Sequence, residues 1–344
     1  MLRIFAAATL LIPSLHAAPP GSADGPTAAS APREVPTVSR VEVEPATLAP
    51  ASTLRVEAPE AARSLGLWWR GELGTVSATL LAGGEELATW PLFEDRDQAP
   101  GSFDPAALAA RPAGDRRVSG LVHAYARPFD AVRLTWSGDA RPADLALVFV
   151  GAFEDPARPP APLPSGGAGK DQDATKALYP KPPVYDRASW NADAPQCGSS
   201  YCTTTHYGIH HTASASDYTA STWSQAAGNV KSIQAYHMYT NGWCDIGYNY
   251  LVSKQGWIFE GRGGGDDVKG AHDGHNCGSM GVAALGYFHT PVNDPTTSAL
   301  LDALEELGAW KCDQQGIAPH GSSWYAGYGG TMTNVYGHRD VKAT

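Results

Sequence analysis

At 344 residues the chain is longer than one average domain needs, so two folded domains joined by linkers are expected. Hydrophobic residues make up 43% and charged ones 17%, a globular rather than a disordered balance. The net charge of −10 argues against a nucleic-acid binder, which presents a basic face, and a modest acidic excess otherwise names no partner.

The chain opens on "MLRIFAAATLLIPSLHAAPP", with Arg3 ahead of an apolar run from Ile4 to Leu15 and small residues at Ala17 and Ala18. This is the pattern of an export signal over residues 1–18, and it is too short to span a bilayer. No membrane span is expected, and the location is secreted or periplasmic, in the cell envelope. Residues 19–39, rich in Pro, Ala, Ser and Gly, read as a flexible tether.

Over residues 40–153 short β-prone runs such as "SLGLWWRG", "AVRLTWSGD" and "LALVFVGAF" alternate with turn residues. The "AGGEE" segment supplies a hairpin turn, and strands at this spacing predict an all-β sandwich. His123 is the only histidine there and no catalytic constellation accompanies it, so a binding or spacer role is expected. Residues 154–183 are a Pro- and Gly-rich linker.

The second domain is expected over residues 184–344. "THYGIHHT" reads as a strand, and Ser216 or Asp217 is placed to cap a following helix in which Val230, Ile233 and His237 share a face. "GYNYLVSKQGWIFEG" reads as a hairpin turning at Gly256, and "MGVAALGYF" as a buried strand. "DPTTSALLDALEELGAWKCDQQG" carries an apolar stripe of Ala299, Leu300, Ala303, Leu304 and Leu307, the mark of a helix. Interleaved strands and helices make this half α/β.

The five cysteines, Cys197, Cys202, Cys244, Cys277 and Cys312, all lie in this half. Disulfides are the default in an exported chain, and an odd count leaves at least one thiol free or paired elsewhere.

Alternation along a strand keeps the adjacent His210 and His211 from ligating one ion together. One can face a site while the other faces a groove or the core. His338, in the distant segment "YGHRDVKAT", can join the first. Two neutral imidazoles with one oxygen or sulfur ligand are a common way to hold zinc and leave a position open.

In order along the chain, "RASWNA", "IHHT", "IQAYHM", "GWCDIGYNYLV", "IFEGRGGG", "GAHDGHN", "GVAALGYF" and "GHRDVKAT" resemble the zinc-dependent N-acetylmuramoyl-L-alanine amidases of the peptidoglycan recognition protein type. The resemblance covers Val184 to Thr344 and implies a mixed β-sheet flanked by helices. It implies His210 and His338 as Zn2+ ligands, with the family's third ligand, a Cys, two residues beyond Thr344.

Tyr248 and Thr344 match positions that hydrogen-bond the reacting carbonyl, and His211, Thr212 and His237 match groove positions. Gly242, Trp243 and Arg262 resemble the set used to prefer diaminopimelate over lysine; a guanidinium grips the extra carboxylate that lysine lacks. The competing reading of Tyr248 is a core strand aromatic sharing a face with Tyr250.

The implied reaction is hydrolysis of the amide between N-acetylmuramic acid and L-alanine in peptidoglycan, by a monomer. The competing role is non-catalytic recognition through the same groove. Cys197–Cys244 matches a family disulfide; Cys197–Cys202 is the local alternative, and the other cysteines stay unassigned.

Overall fold

The computed structural model describes residues 35–44, 52–95, 116–137, 142–159, 179–272 and 274–341. The expected signal, most of the tether, the middle of the second linker and Thr344 lie outside the described residues.

The first half is built from β1 (Val38–Val43), β2 (Thr53–Gly71), β3 (Thr75–Ala82), β4 (Glu85–Leu92), β5 (Arg116–Val118), β6 (Val122–His123), β7 (Phe129–Ser137) and β8 (Pro142–Gly151). Where the sequence predicts a sandwich, the structure shows one eight-stranded sheet ordered β1-β8-β2-β7-β3-β4, with β5 and β6 also on β2. The cause is the length of β2. Its first part pairs with β7, its register shifts between Glu57 and Ser64, and its second part pairs with β8 on one edge and β5 and β6 on the other. Irregularities of this kind bend a strand and let it serve two halves of a curled sheet.

Strict alternation then sorts the side chains. Leu65, Leu67 and Trp69 of β2 enter one core with Leu134 and Trp136 of β7 and Leu147 and Phe149 of β8. The opposite face, with Trp68, Val148 and Val150, packs on the second half of the chain. β1 begins inside the stretch expected to be tether because Val41 and Val43 pack against the sheet core.

The second half contains β9 (His206–His211), α1 (Trp223–Tyr239), β10 (Tyr250–Val252), β11 (Ile258–Glu260), β12 (Ser279–Ala284) and α2 (Ser298–Gln315). A hairpin of β13 (Ser322–Tyr325) and β14 (Gly330–Thr333) precedes β15 (Val335–Gly337) and the helical turn α3 (His338–Val341). The sheet order is β11-β10-β12-β9-β15; only the β10–β11 hairpin is antiparallel, and Gly256 in its turn has φ +81°. Leu251 and Ala283 face α1, while Tyr250, Val252, Val282 and Ala284 face Leu300, Leu304 and Leu307 of α2.

Helix α1 starts at Thr222, whose hydroxyl accepts from the Gln225 N–H while the Gln225 side chain returns to the cap. Neither Ser216 nor Asp217, the two candidates for its cap, caps it: Ser216 precedes and Asp217 opens a 3-10 turn, Asp217–Thr219, and both Asp217 oxygens are engaged elsewhere. Helix α2 runs from its Thr297 cap to Gly316, left-handed at φ 64°, as its stripe predicts.

Two disulfides pin the domain, Cys197–Cys244 and Cys202–Cys277, and Cys312 is a buried free thiol. The described flanks of the second linker are tied down: Asp155 pairs with Arg63, and Lys181 with Asp266. No helix among the described residues is long and apolar enough to cross a membrane.

Candidate metal centre and substrate cleft

Parallel strands β9 and β15 pair with Val335 opposite Tyr207 and Gly337 opposite Ile209, which carries His210 and His338 to the same end of the two strands. Their Nδ1 atoms lie 3.2 Å apart, and the two residues are only 4% and 7% exposed. Two ligands about 2.0–2.1 Å from a tetrahedral zinc sit about 3.3 Å from each other, so this pair fits one metal position. Among the described residues no set of three His, Cys, Asp or Glu side chains gathers around it.

Alternation along β9 separates the two neighbours, as the sequence pattern requires. His210 turns towards Tyr248, His272 and His338, with ring centroids at 5.8, 4.7 and 5.2 Å. His211 turns towards Tyr287, 5.1 Å away, and its Nδ1 accepts the Phe288 N–H at 3.1 Å. An accepting Nδ1 leaves the neutral ring with its hydrogen on Nε2.

Tyr248 stands two residues ahead of β10, on the α1 side, and its hydroxyl donates to the His211 carbonyl at 3.3 Å. Tyr250 lies within β10 on the α2 side, so the two tyrosines do not share a face as the alternation argument predicts. The reason is that the chain reaches regular strand geometry only at Tyr250.

His237, on α1, is wholly buried against Trp243 at 4.6 Å and Tyr248 at 5.9 Å, and accepts the Gly247 N–H at 3.0 Å. Burial, reinforced by the Arg262 guanidinium, pushes its pKa down to about 3. Gly242, at φ +68°, lets the chain turn back so that the Trp243 N–H reaches the His237 carbonyl at 3.0 Å and ends α1. Arg262, half-buried, donates to the Ile246 carbonyl at 3.4 Å. Thr212 is buried, its hydroxyl bound to Asp217 and to the Gly286 N–H. Thr344 lies outside the described residues.

A cavity of about 640 Å³ opens beside the imidazoles on the α2 side, walled by His210, His211, His338, Tyr287 and Leu300, and by Phe93 from the first domain. The ring of Phe93 lies 4.7 Å from that of Tyr287. Sequence reasoning missed this contribution, because nothing local in "PLFED" signals a long-range contact. It also missed His272, because the niche for its ring, where β-carbons at Gly270 and Gly281 would overlap it, forms only in the fold.

The mixed sheet thus brings two imidazoles and a phenol together, as the resemblance in the sequence implies. In agreement, residues 202–344 match the family model described as N-acetylmuramoyl-L-alanine amidase. Peptidoglycan-recognition protein SC2 of Drosophila simulans is 34% identical over 163 residues, 47% of this chain and 78% of that protein. The chain belongs to the peptidoglycan recognition protein family.

Human N-acetylmuramoyl-L-alanine amidase is 34% identical over 148 residues, 41% of this chain and only 24% of that protein's length. The crystal structure of Drosophila peptidoglycan recognition protein SD matches at 28% identity with a TM-score of 0.39, covering 47% of this chain and 86% of that one.

Proposed function

We propose that the chain is a zinc-dependent amidase that cleaves the bond between N-acetylmuramic acid and L-alanine in peptidoglycan. The observation that carries this reading is the meeting of His210 Nδ1 and His338 Nδ1 at 3.2 Å beside Tyr248. Bound there, zinc would polarise the scissile carbonyl and make a water nucleophilic near neutral pH.

The remaining work belongs to the chain's own groups. Tyr248 can shift its hydrogen bond from the His211 carbonyl to the oxyanion that develops on the substrate. Thr344 is proposed to give that oxygen a second hydrogen bond. His211 offers its Nε2–H to the groove, and Thr212 and His237, both buried, are proposed to support the site from behind. The proposed diaminopimelate preference rests on Arg262, beside Trp243 and Gly242, gripping the extra carboxylate. The two disulfides accord with secreted or periplasmic action on the cell wall, and the working unit is proposed to be a monomer.

The test is digestion of diaminopimelate-type peptidoglycan with and without a chelator, read by mass spectrometry. Stem peptides with new L-alanine amino termini, lost on chelation and restored by Zn2+, are expected, and Tyr248→Phe lowers turnover with zinc still bound. A wall that retains the protein uncut would refute the amidase and leave the recognition role.

A further inference from the structure

The first half of the chain reaches the candidate metal site through a chain of buried polar contacts. His123 of β6 has both ring nitrogens engaged: Nδ1 is 2.7 Å from Ser64 Oγ on β2, and Nε2 donates to Asp217 Oδ1 at 2.7 Å. The other Asp217 oxygen accepts the Thr212 hydroxyl, and Thr212 directly follows the His210–His211 pair.

More contacts grip the same segment. The His123 N–H donates to Ser216 Oγ at 3.0 Å, the Tyr125 hydroxyl to the Ser216 carbonyl at 2.9 Å, and Ser214 Oγ to the Leu121 carbonyl. Ala213 has φ +50°, a left-handed conformation that is unfavourable for a non-glycine residue and persists only when its surroundings impose it. Gly120 is part of that surrounding, since a β-carbon there would overlap the Ala213 carbonyl.

Ser64, His123 and Asp217 reproduce the order of nucleophile, base and orienting acid, but the His123 and Asp217 side chains are 0% exposed and Ser64 is fully buried. No substrate reaches them, and Ser64 Oγ is already 3.0 Å from Ser232 Oγ on α1. The network therefore acts inward, on the backbone that leaves β9.

We propose that His123 is a positioning residue for the metal site, acting through Asp217 and Thr212 to set where β9 ends and hence where the His210 ring points. The proposal rests on the reading of His210 as a zinc ligand. The β domain is thereby a working part of the hydrolase rather than a spacer.

The test uses the full chain as His123→Ala, His123→Gln and Thr212→Val, each at a temperature where it is fully folded. Zn2+ affinity is measured by competition with a chromophoric chelator, and kcat and KM on a soluble muramoyl peptide. His123→Ala is expected to lose about tenfold in zinc affinity and a similar factor in kcat, with KM unchanged, the lower end of the loss when a group bonded directly to a metal ligand is removed. His123→Gln, which can still donate to Asp217 and accept from Ser64, recovers most of the loss.

A folded His123→Ala that holds zinc and turns over like the parent overturns the proposal, as does a loss of stability alone. If His123→Ala does not fold, Thr212→Val decides by the same two readouts. A parent protein that binds zinc but cuts nothing refutes the amidase reading only, because zinc affinity in the variants still tests the positioning.

Discussion

Acidification should strip stability from this protein through one buried ring. His237 ionises at about 3 in the folded chain, because burial and then the Arg262 charge oppose its protonation, and near 6.5 when unfolded. Between these values the unfolded chain binds a proton that the folded chain refuses. The contribution of His237 is therefore complete above pH 6.5 and declines as the pH falls towards 3.

The slope is about 1.4 kcal/mol per pH unit, so moving from pH 7.5 to 4.5 removes about 2.7 kcal/mol, a large part of an ordinary domain's margin. The comparison is His237→Asn, whose side-chain oxygen can still accept the Gly247 N–H. Urea unfolding from pH 7.5 to 4.5 is expected to show the parent falling more steeply than the variant by one proton's worth. Other buried groups, such as His206, also lowered by burial, contribute to both curves and cancel. Parallel curves between pH 6.5 and 4.5 would show that the ring accepts its proton without unfolding, and the reasoning would fail.

Two further outcomes concern the cysteines. The disulfides close loops of 47 and 75 residues, and loop-closure entropy assigns each about 4 kcal/mol; Cys197→Ser with Cys244→Ser should lower urea stability by that order. Cys312 is 4% exposed and burial raises its thiol pKa, so a thiol reagent at pH 8 should find no reactive group in the native protein and one after unfolding.

The second half was legible because its signals are local. Periodicity placed α2 within its caps, Gly256 marked the hairpin turn, and the single-residue alternation at His210 and His211 separated their directions. Its failures are long-range. The local pattern offers Ser216 or Asp217 as a helix cap, but His123, 94 positions before Asp217, claims the Asp217 carboxylate. Tyr248 was paired with Tyr250 by assuming a strand that begins two residues later. In the first half, each run was visible but the sharing of β2 between two halves was not, since a register shift near Ala62 leaves no mark in the hydrophobic pattern.

Helix α1 shows why the two halves act as one body. Nearly all its residues are buried, including Asn229, Lys231, Ser232 and Gln234, which no helix with a solvent face would bury. One side meets the mixed sheet, and the other meets Trp68, Leu121, Val148 and Val150 of the β domain. Three of the polar residues have partners there: Ser232 meets Ser64, Asn229 donates to Tyr125 at 2.8 Å, and Lys231 Nζ lies 5.2 Å from the Phe153 ring centre. Separating the halves would re-expose several large apolar side chains, each worth about 1.5–3 kcal/mol, and would strand these polar groups as well. That sum exceeds the margin of a typical domain, so neither half should survive the loss of the other. Calorimetry of the full chain should accordingly give one transition whose van't Hoff and calorimetric enthalpies agree, and Val148→Asp should lower the whole transition. Two separated transitions, with the variant moving only the first, would mean that the halves melt independently and that the interface is an ordinary domain contact.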